Sequence, residues 1–205
     1  IARLIGDMTR ALQPFVWLEA ESASSHTFDS VVSDSEASGG SYLSLDTDRL
    51  PPSSTGDVGS GYRAEYKFSV NATGTYTLWM AGSPTRDAAP FTYTLDGGGA
   101  NPVEDAPNEG GLYGGKFLWS RLGDAPLAHG RHTLTITVTG PRERDSRYAL
   151  AIDAFCLSRV PFHPNGTQLP AIEVLPPPVV LDKKGKPVKQ KEVPDKDHTD
   201  LDLPG

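Results

Sequence analysis

The chain has 205 residues, a formal net charge of −7, 37% apolar residues, and 21 glycines against 18 prolines. This is enough chain for one sizeable domain with some left over, and the glycine and proline content points to a turn-rich, β-rich protein. The acidic balance argues against nucleic acid and anionic membrane as main partners, and no apolar run approaches the roughly 20 residues that span a bilayer.

The first residue is Ile1, and no signal-peptide pattern precedes the first predicted element. This suggests a fragment, a processed chain or an excised domain. Ile1, Leu4, Ile5, Met8 and Leu12 recur at helical spacing, and Pro14 ends the pattern, so a short N-terminal helix or linker is expected over 1–14. So short a helix is marginal alone and needs a neighbour to pack on.

From Phe15 to about Val160 the signal is β. Short alternating or apolar runs recur at Phe15–Glu21, Ser41–Leu45, Tyr62–Val70, Thr75–Ala81, Phe91–Leu95, Lys116–Leu122, His132–Val138 and Ala149–Leu157. Turn clusters such as Asn71-Ala72-Thr73-Gly74 and Asp96-Gly97-Gly98-Gly99 divide them. Tyr76, Leu78 and Met80 alternate with Thr75, Thr77 and Trp79, the pattern of a strand with one face on a core and the other wetter. Eight such strands without a long helix between them predict an all-β, two-sheet antiparallel sandwich, a jelly roll, over 15–160.

Half of the prolines lie beyond Val160, where Lys183, Lys184, Lys186, Lys189, Lys191 and Lys196 mix with acidic residues. The expectation for 161–205 is an extended, proline-rich linker or strap. Its first half carries enough apolar groups, Phe162 among them, to dock on a neighbour.

Within Trp17-Leu18-Glu19-Ala20-Glu21, strand alternation puts Glu19 and Glu21 on one face with Trp17. Two adjacent carboxylates repel unless solvent, an arginine or a cation lies between them, and such a pair suits a hard, oxygen-seeking ion such as calcium. A solvated strand edge is the plainer reading. Cys156, the sole cysteine, sits in an apolar run and reads as a small buried hydrophobe. His129 and His132 straddle a turn glycine with no third ligand near, which favours a turn role over zinc. Glu104-Asp105 is a carboxylate pair with nothing to mark it for acid/base work. Asn71-Ala72-Thr73 and Asn165-Gly166-Thr167 match the N-glycosylation pattern.

Six segments then occur in a telling order: Trp17-Leu18-Glu19-Ala20-Glu21, Ser38-Gly39-Gly40-Ser41-Tyr42-Leu43, Ala64-Glu65-Tyr66-Lys67-Phe68, Gly74-Thr75-Tyr76-Thr77-Leu78-Trp79, Gly130-Arg131-His132-Thr133-Leu134 and Ile152-Asp153-Ala154-Phe155. Together they resemble carbohydrate-binding modules of families 6 and 35, β-sandwiches of the galactose-binding-like type, over roughly Phe15 to Ser158. The resemblance implies a structural calcium held by Glu19, Glu21, the main-chain oxygen of Ser41, and Asp153. An arginine partner for Asp153, Arg147 or Arg159, is the alternative. The aromatic and amide positions on which such modules hold sugar fall here on Leu45, near Lys116 or Phe117, and on Ala151. Other loop residues, Asp46, Asp48, Tyr113, Arg144, Arg147 and Tyr148, are candidates to supply ligand contacts instead.

The resulting expectation is a non-catalytic accessory module of a larger secreted or cell-surface protein acting on polysaccharide, with a glycan and neighbouring domains as partners. A structural docking module of the same fold that binds no sugar is the alternative. An enzyme in its own right would require a cleft lined by two carboxylates.

Overall fold

A computed structural model describes residues 13–52, 61–104 and 106–170. The expected N-terminal helix and the lysine-rich stretch beyond residue 170 lie outside the described residues.

Twelve strands form among the described residues: β1 (Phe15–Glu19), β2 (Ser25–His26), β3 (Ser30–Ser33), β4 (Ser41–Thr47), β5 (Tyr62–Val70), β6 (Gly74–Gly82), β7 (Phe91–Leu95), β8 (Asn101–Val103), β9 (Asn108–Tyr113), β10 (Phe117–Leu127), β11 (Gly130–Val138) and β12 (Tyr148–Ser158). They build two antiparallel sheets. One runs β3-β4-β12-β6-β10-β9 with β1 also paired to β12, and the other runs β2-β5-β11-β7-β8. The sandwich expected from the alternation is therefore present. The short strands β2, β3, β8 and β9 carry too little hydrophobic pattern to be read from sequence.

The core between the sheets takes the inward residues of both. Tyr76, Leu78 and Met80 of β6 share one buried core with Leu134, Ile136 and Val138 of β11, and Tyr66 stands edge-on to Phe155. Such alternation follows from the two-residue period of a strand.

β12 departs from that period. Ile152 pairs with Gly82 and Ala154 with Ala81, so Asp153 is an extra residue, a bulge. Before it, Leu150 and Ile152 face the core; after it, Phe155 and Leu157 do, while Ala154 and Cys156 turn to the opposite face. A bulge resets the parity of a strand and re-aims the residue at the break. Here that residue is a carboxylate.

The outer face of the seven-stranded sheet is not wet, as the alternation in β6 had suggested. Trp79, Trp119, Ala154 and Cys156 form a second apolar cluster closed by Phe162. Phe162 stands edge-on to Trp17, Trp79 and Trp119 with ring centroids 6.3, 5.9 and 5.3 Å apart. The indole N–H of Trp119 donates to the Gly166 carbonyl at 2.8 Å. Phe162 and Gly166 thus anchor the 161–170 segment to the sheet. Cys156 is fully buried there and burial pushes its thiol pKa up, as expected of an inert cysteine. No helix among the described residues is long and apolar enough to cross a membrane.

Candidate functional site

Three carboxylates gather where β1, the Ser38–Gly40 turn and the β12 bulge meet. β1 ends at Glu19, and Glu21 lies in the following 3₁₀ turn rather than on the strand. The two acids therefore do not share a strand face as alternation implied. Trp17 and Glu19 do, and the Trp17 indole N–H donates to Glu19 Oε1 at 3.1 Å.

Asp153 is 0% exposed. The Ser38 amide donates to its Oδ1 and Oδ2 at 2.9 and 3.2 Å, and the Tyr113 hydroxyl donates to Oδ2 at 2.5 Å. The Ser38 hydroxyl donates to Glu19 Oε1 at 2.9 Å. Glu19 Oε2 and Glu21 Oε2 are buried with no hydrogen-bond partner. Gly39 closes the pocket: its φ of +65° is left-handed, and a Cβ there would stand 2.5 Å from Glu21 Oε1. Only glycine fits that turn against the acids without displacing a carboxylate.

The electrostatics follow from burial. Desolvation pushes the Asp153 pKa up to about 6; the hydrogen bonds from Tyr113 and Ser38 pull it down, and the charges of Glu19 and Glu21 push it up again. Desolvation also raises Glu21, against its own backbone amide and with the charge of Glu19. Burial and the neighbouring Asp153 raise the Tyr113 phenol.

Neither arginine offered as the alternative partner reaches Asp153. Arg147 Nε bonds Asp46 at 2.7 Å, and Arg159 lies over the Tyr76 ring at 5.7 Å. Among the described residues no ion pair involves Glu19, Glu21 or Asp153.

Buried anionic oxygens without a countercharge suit a hard cation. The donors have the right chemistry, but they do not form a ready-made cage: among the described residues no three His, Cys, Asp or Glu side chains converge to hold one ion. Ser41 opens β4, and its hydroxyl donates to the Gly40 carbonyl at 2.8 Å. It is Ser38 and Gly39 that touch the acids. Sequence reading missed Ser38, whose only signal is its place before the glycine pair.

Several expected ligand contacts are corrected by packing. Phe117 is 0% exposed, wedged between Tyr42 and Tyr113 at 5.2 and 5.4 Å, so it has no ring face for a sugar. Tyr148 is 8% exposed and edge-on to Tyr62. Tyr113 is no free loop ring: it ends β9 and spends its hydroxyl on Asp153. Lys116 Nζ bonds Asp34 at 2.6 Å and lies 4.8 Å over the Tyr42 ring.

Asp46 and Arg144 do come together. With Tyr42, Leu45 and Ala151 they line a shallow depression of about 200 Å³, and Asp46 accepts from Arg147 Nε. Asp48 is exposed just beyond β4. Both ring nitrogens of His132 are engaged: Nδ1 pairs with Asp96 and Nε2 with the Ala128 carbonyl, each at 2.7 Å. Of the Glu104-Asp105 pair, Glu104 is exposed, and Asp105 lies outside the described residues.

No family model and no curated protein matches the chain. Solved structures do resemble it. A Paenibacillus xanthan lyase matches at 20% identity and a TM-score of 0.51 over 70% of this chain and 13% of the lyase. The GH26-CBM35 β-(1,4)-mannanase of Podospora anserina matches at 19% identity and 0.49 over 74% of this chain and 29% of the mannanase. A family 35 carbohydrate-binding module from Clostridium thermocellum matches at 17% identity and 0.48 over 70% of this chain and 98% of the module. The chain spans less than a third of the two enzymes. At these identities the likeness is one of fold, and the sandwich is the fold that the sequence motifs imply.

Proposed function

We propose that this chain is a non-catalytic carbohydrate-binding module whose sandwich is stabilised by a structural calcium, and that it serves a secreted protein acting on polysaccharide. The glycan-binding half of the reading is supported by the motif order and by a fold shared with part of a xanthan lyase. Such a module raises the local concentration of an attached enzyme on a polymeric substrate.

The observation that carries the metal half is the pair of buried, unpartnered oxygens, Glu19 Oε2 and Glu21 Oε2, beside the buried Asp153. Calcium, held by Glu19, Glu21, Asp153 and the main-chain oxygen of Ser41, would neutralise the cluster and tie β1 to β12. Thermal melts with calcium and with chelator test it. At a hundredfold excess over Kd, binding adds about 2.7 kcal/mol, so the midpoint should rise by several degrees. An unchanged midpoint, with no calcium bound in a direct titration, would overturn the metal.

A second reading is a docking module of the same fold without a sugar site. It is favoured by the loss of the aromatic and amide positions, since Leu45 and Phe117 are buried and residue 151 is alanine. Affinity electrophoresis in polysaccharide gels separates the two: retardation supports the first reading, and its absence in every gel supports the second.

A further inference from the structure

Beside the depression that holds Leu45 and Ala151 lies a second, larger cleft of about 510 Å³ between the Thr85–Pro90 segment, the end of β8 and the 142–144 loop. Its volume falls in the range of small-molecule sites. The two hollows share Asp87, Arg142 and Arg144. We infer that this cleft is the sugar-binding site, and that Asp87 and Arg144 grip the vicinal hydroxyls of a neutral glycan. The inference rests on the carbohydrate-binding reading above and gives it a place and a ligand class.

The cleft has one fixed wall. Arg142 donates from Nε and Nη2 to the two carboxylate oxygens of Asp145 at 2.8 and 2.7 Å, and from Nη1 to the Asp87 carbonyl at 3.3 Å. With its guanidinium committed, Arg142 holds the Asp87 backbone in place. The bidentate geometry is what makes such a pair rigid.

The Asp87 side chain, by contrast, makes two long ion pairs and no hydrogen bond among the described residues. Arg144 Nη1 stands 3.6 Å from Oδ1, and Arg86 Nε 3.8 Å from Oδ2. Both gaps exceed hydrogen-bond length, so the carboxylate keeps its lone pairs and the two guanidiniums keep their donors. A carboxylate that accepts from two adjacent hydroxyls, next to a guanidinium that donates to their oxygens, satisfies a diol in both senses. The floor is small and apolar, with Ala89 and Val103 buried beneath the charged groups. Among the described residues no aromatic side chain lines the cleft, so binding would depend on hydrogen bonds and not on stacking.

Charge selects the ligand class. Arg86, Arg142 and Arg144 face Asp87, Glu104 and Glu143 across the cleft, three charges of each sign. Glu104 and Glu143 form no ion pair among the described residues, and the whole chain carries −7. A polyuronate gains nothing from a balanced cleft and is repelled by the net negative charge of the chain. A neutral polyol meets no such penalty.

The test is affinity electrophoresis of the full chain, with calcium, in gels containing galactomannan, arabinoxylan, β-1,3-glucan or polygalacturonate. Asp87→Ala, Asp87→Asn, Arg144→Ala and the off-site control Lys116→Ala are run beside the wild type, and melts confirm folding. Retardation in at least one neutral gel is expected. The three cleft variants should weaken it about tenfold or more, and Lys116→Ala should not. Wild-type retardation that the folded cleft variants retain overturns the cleft while leaving the module reading intact. Retardation in polygalacturonate alone overturns the neutral class. No retardation in any gel brings down the carbohydrate-binding reading itself, and this assignment with it.

Discussion

The Tyr113 hydroxyl donates to Oδ2 of Asp153 over 2.5 Å, joining the end of β9 to a carboxylate that is itself displaced by a bulge in β12. That bond, together with the Ser38 amide, is what stabilises the ionised form of a buried acid. Its effect is legible in pH. The folded pKa of Asp153 is about 6, above the ordinary 3.8. Between those values the folded chain holds a proton that the unfolded chain has released. In the metal-free protein this group therefore contributes stability that is fully present below 3.8 and is lost as pH rises from there to about 6, by up to about 3 kcal/mol. Glu21, also raised, acts in the same direction. Urea denaturation in chelator at pH 4 and pH 7 measures the difference. Tyr113→Phe should cost about 1–3 kcal/mol at pH 7 and much less at pH 4, where Asp153 is protonated. Equal losses at both pH values would count against the assignment. Calcium should reverse the slope, because metal binding competes with protons for the same oxygens.

Gly39 offers a separate handle on the same pocket. A side chain there meets two obstacles: the left-handed φ of +65° and Glu21 Oε1 at 2.5 Å from the new Cβ. Gly39→Ala should cost about 1–2 kcal/mol from the backbone alone, and it should weaken calcium binding by displacing the Glu21 carboxylate. Gly40→Ala is the control, since its φ of +82° carries the strain but its Cβ would meet nothing. If both variants weaken calcium equally, contact with Glu21 is not the cause.

The sequence shows some of this and conceals the rest for physical reasons. β5 and β7 are legible to the residue, as Tyr62–Val70 and Phe91–Leu95, because unbroken alternation between turn residues fixes a strand's ends. The Asp153 bulge is not, since it exists only in the pairing of Ile152 and Ala154 with Gly82 and Ala81, more than sixty residues away. Glu19 and Glu21 lie close together, but through a turn after β1 rather than on one face. Tyr113 misleads for a similar reason. Its glycine-rich surroundings suggest a loop, whereas its ring and hydroxyl answer to Phe117 and Asp153. Packing partners remote in sequence decide these positions, and local pattern cannot express them.

His132 and Asp96 form a pair in which each partner favours the charged form of the other. Burial works against the charged imidazole, but the carboxylate of Asp96 and the carbonyl of Ala128 outweigh it, and the His132 pKa lies above its usual 6.5. Asp96 is likewise held below its usual value, its desolvation overcome by His132 and the Thr133 amide. The pair therefore contributes fully between about pH 3.8 and 6.5, and loses that stability as pH rises through the folded His132 value or falls through the folded Asp96 value. An NMR titration should place His132 above 6.5 in the wild type, and Asp96→Asn should move it down. A midpoint that Asp96→Asn leaves in place would remove Asp96 as the cause.

Phe162 marks where the folded unit reaches beyond its last strand. Its ring stands edge-on to Trp17, Trp79 and Trp119, and it is buried although it lies outside every strand. Phe162→Ala removes the side chain that closes the outer cluster, and burial of this kind is worth about 3–5 kcal/mol. The same change opens the indoles to water. Tryptophan emission should therefore shift to the red in the folded variant as its denaturation midpoint falls. Trp17 also donates to Glu19 Oε1, so loosening the cluster should carry into the acid pocket and weaken calcium binding. A variant with unchanged emission and midpoint would mean that the 161–170 segment does not rest on the sheet in solution. A destabilised variant with full calcium affinity would show that the aromatic cluster and the acid pocket act independently.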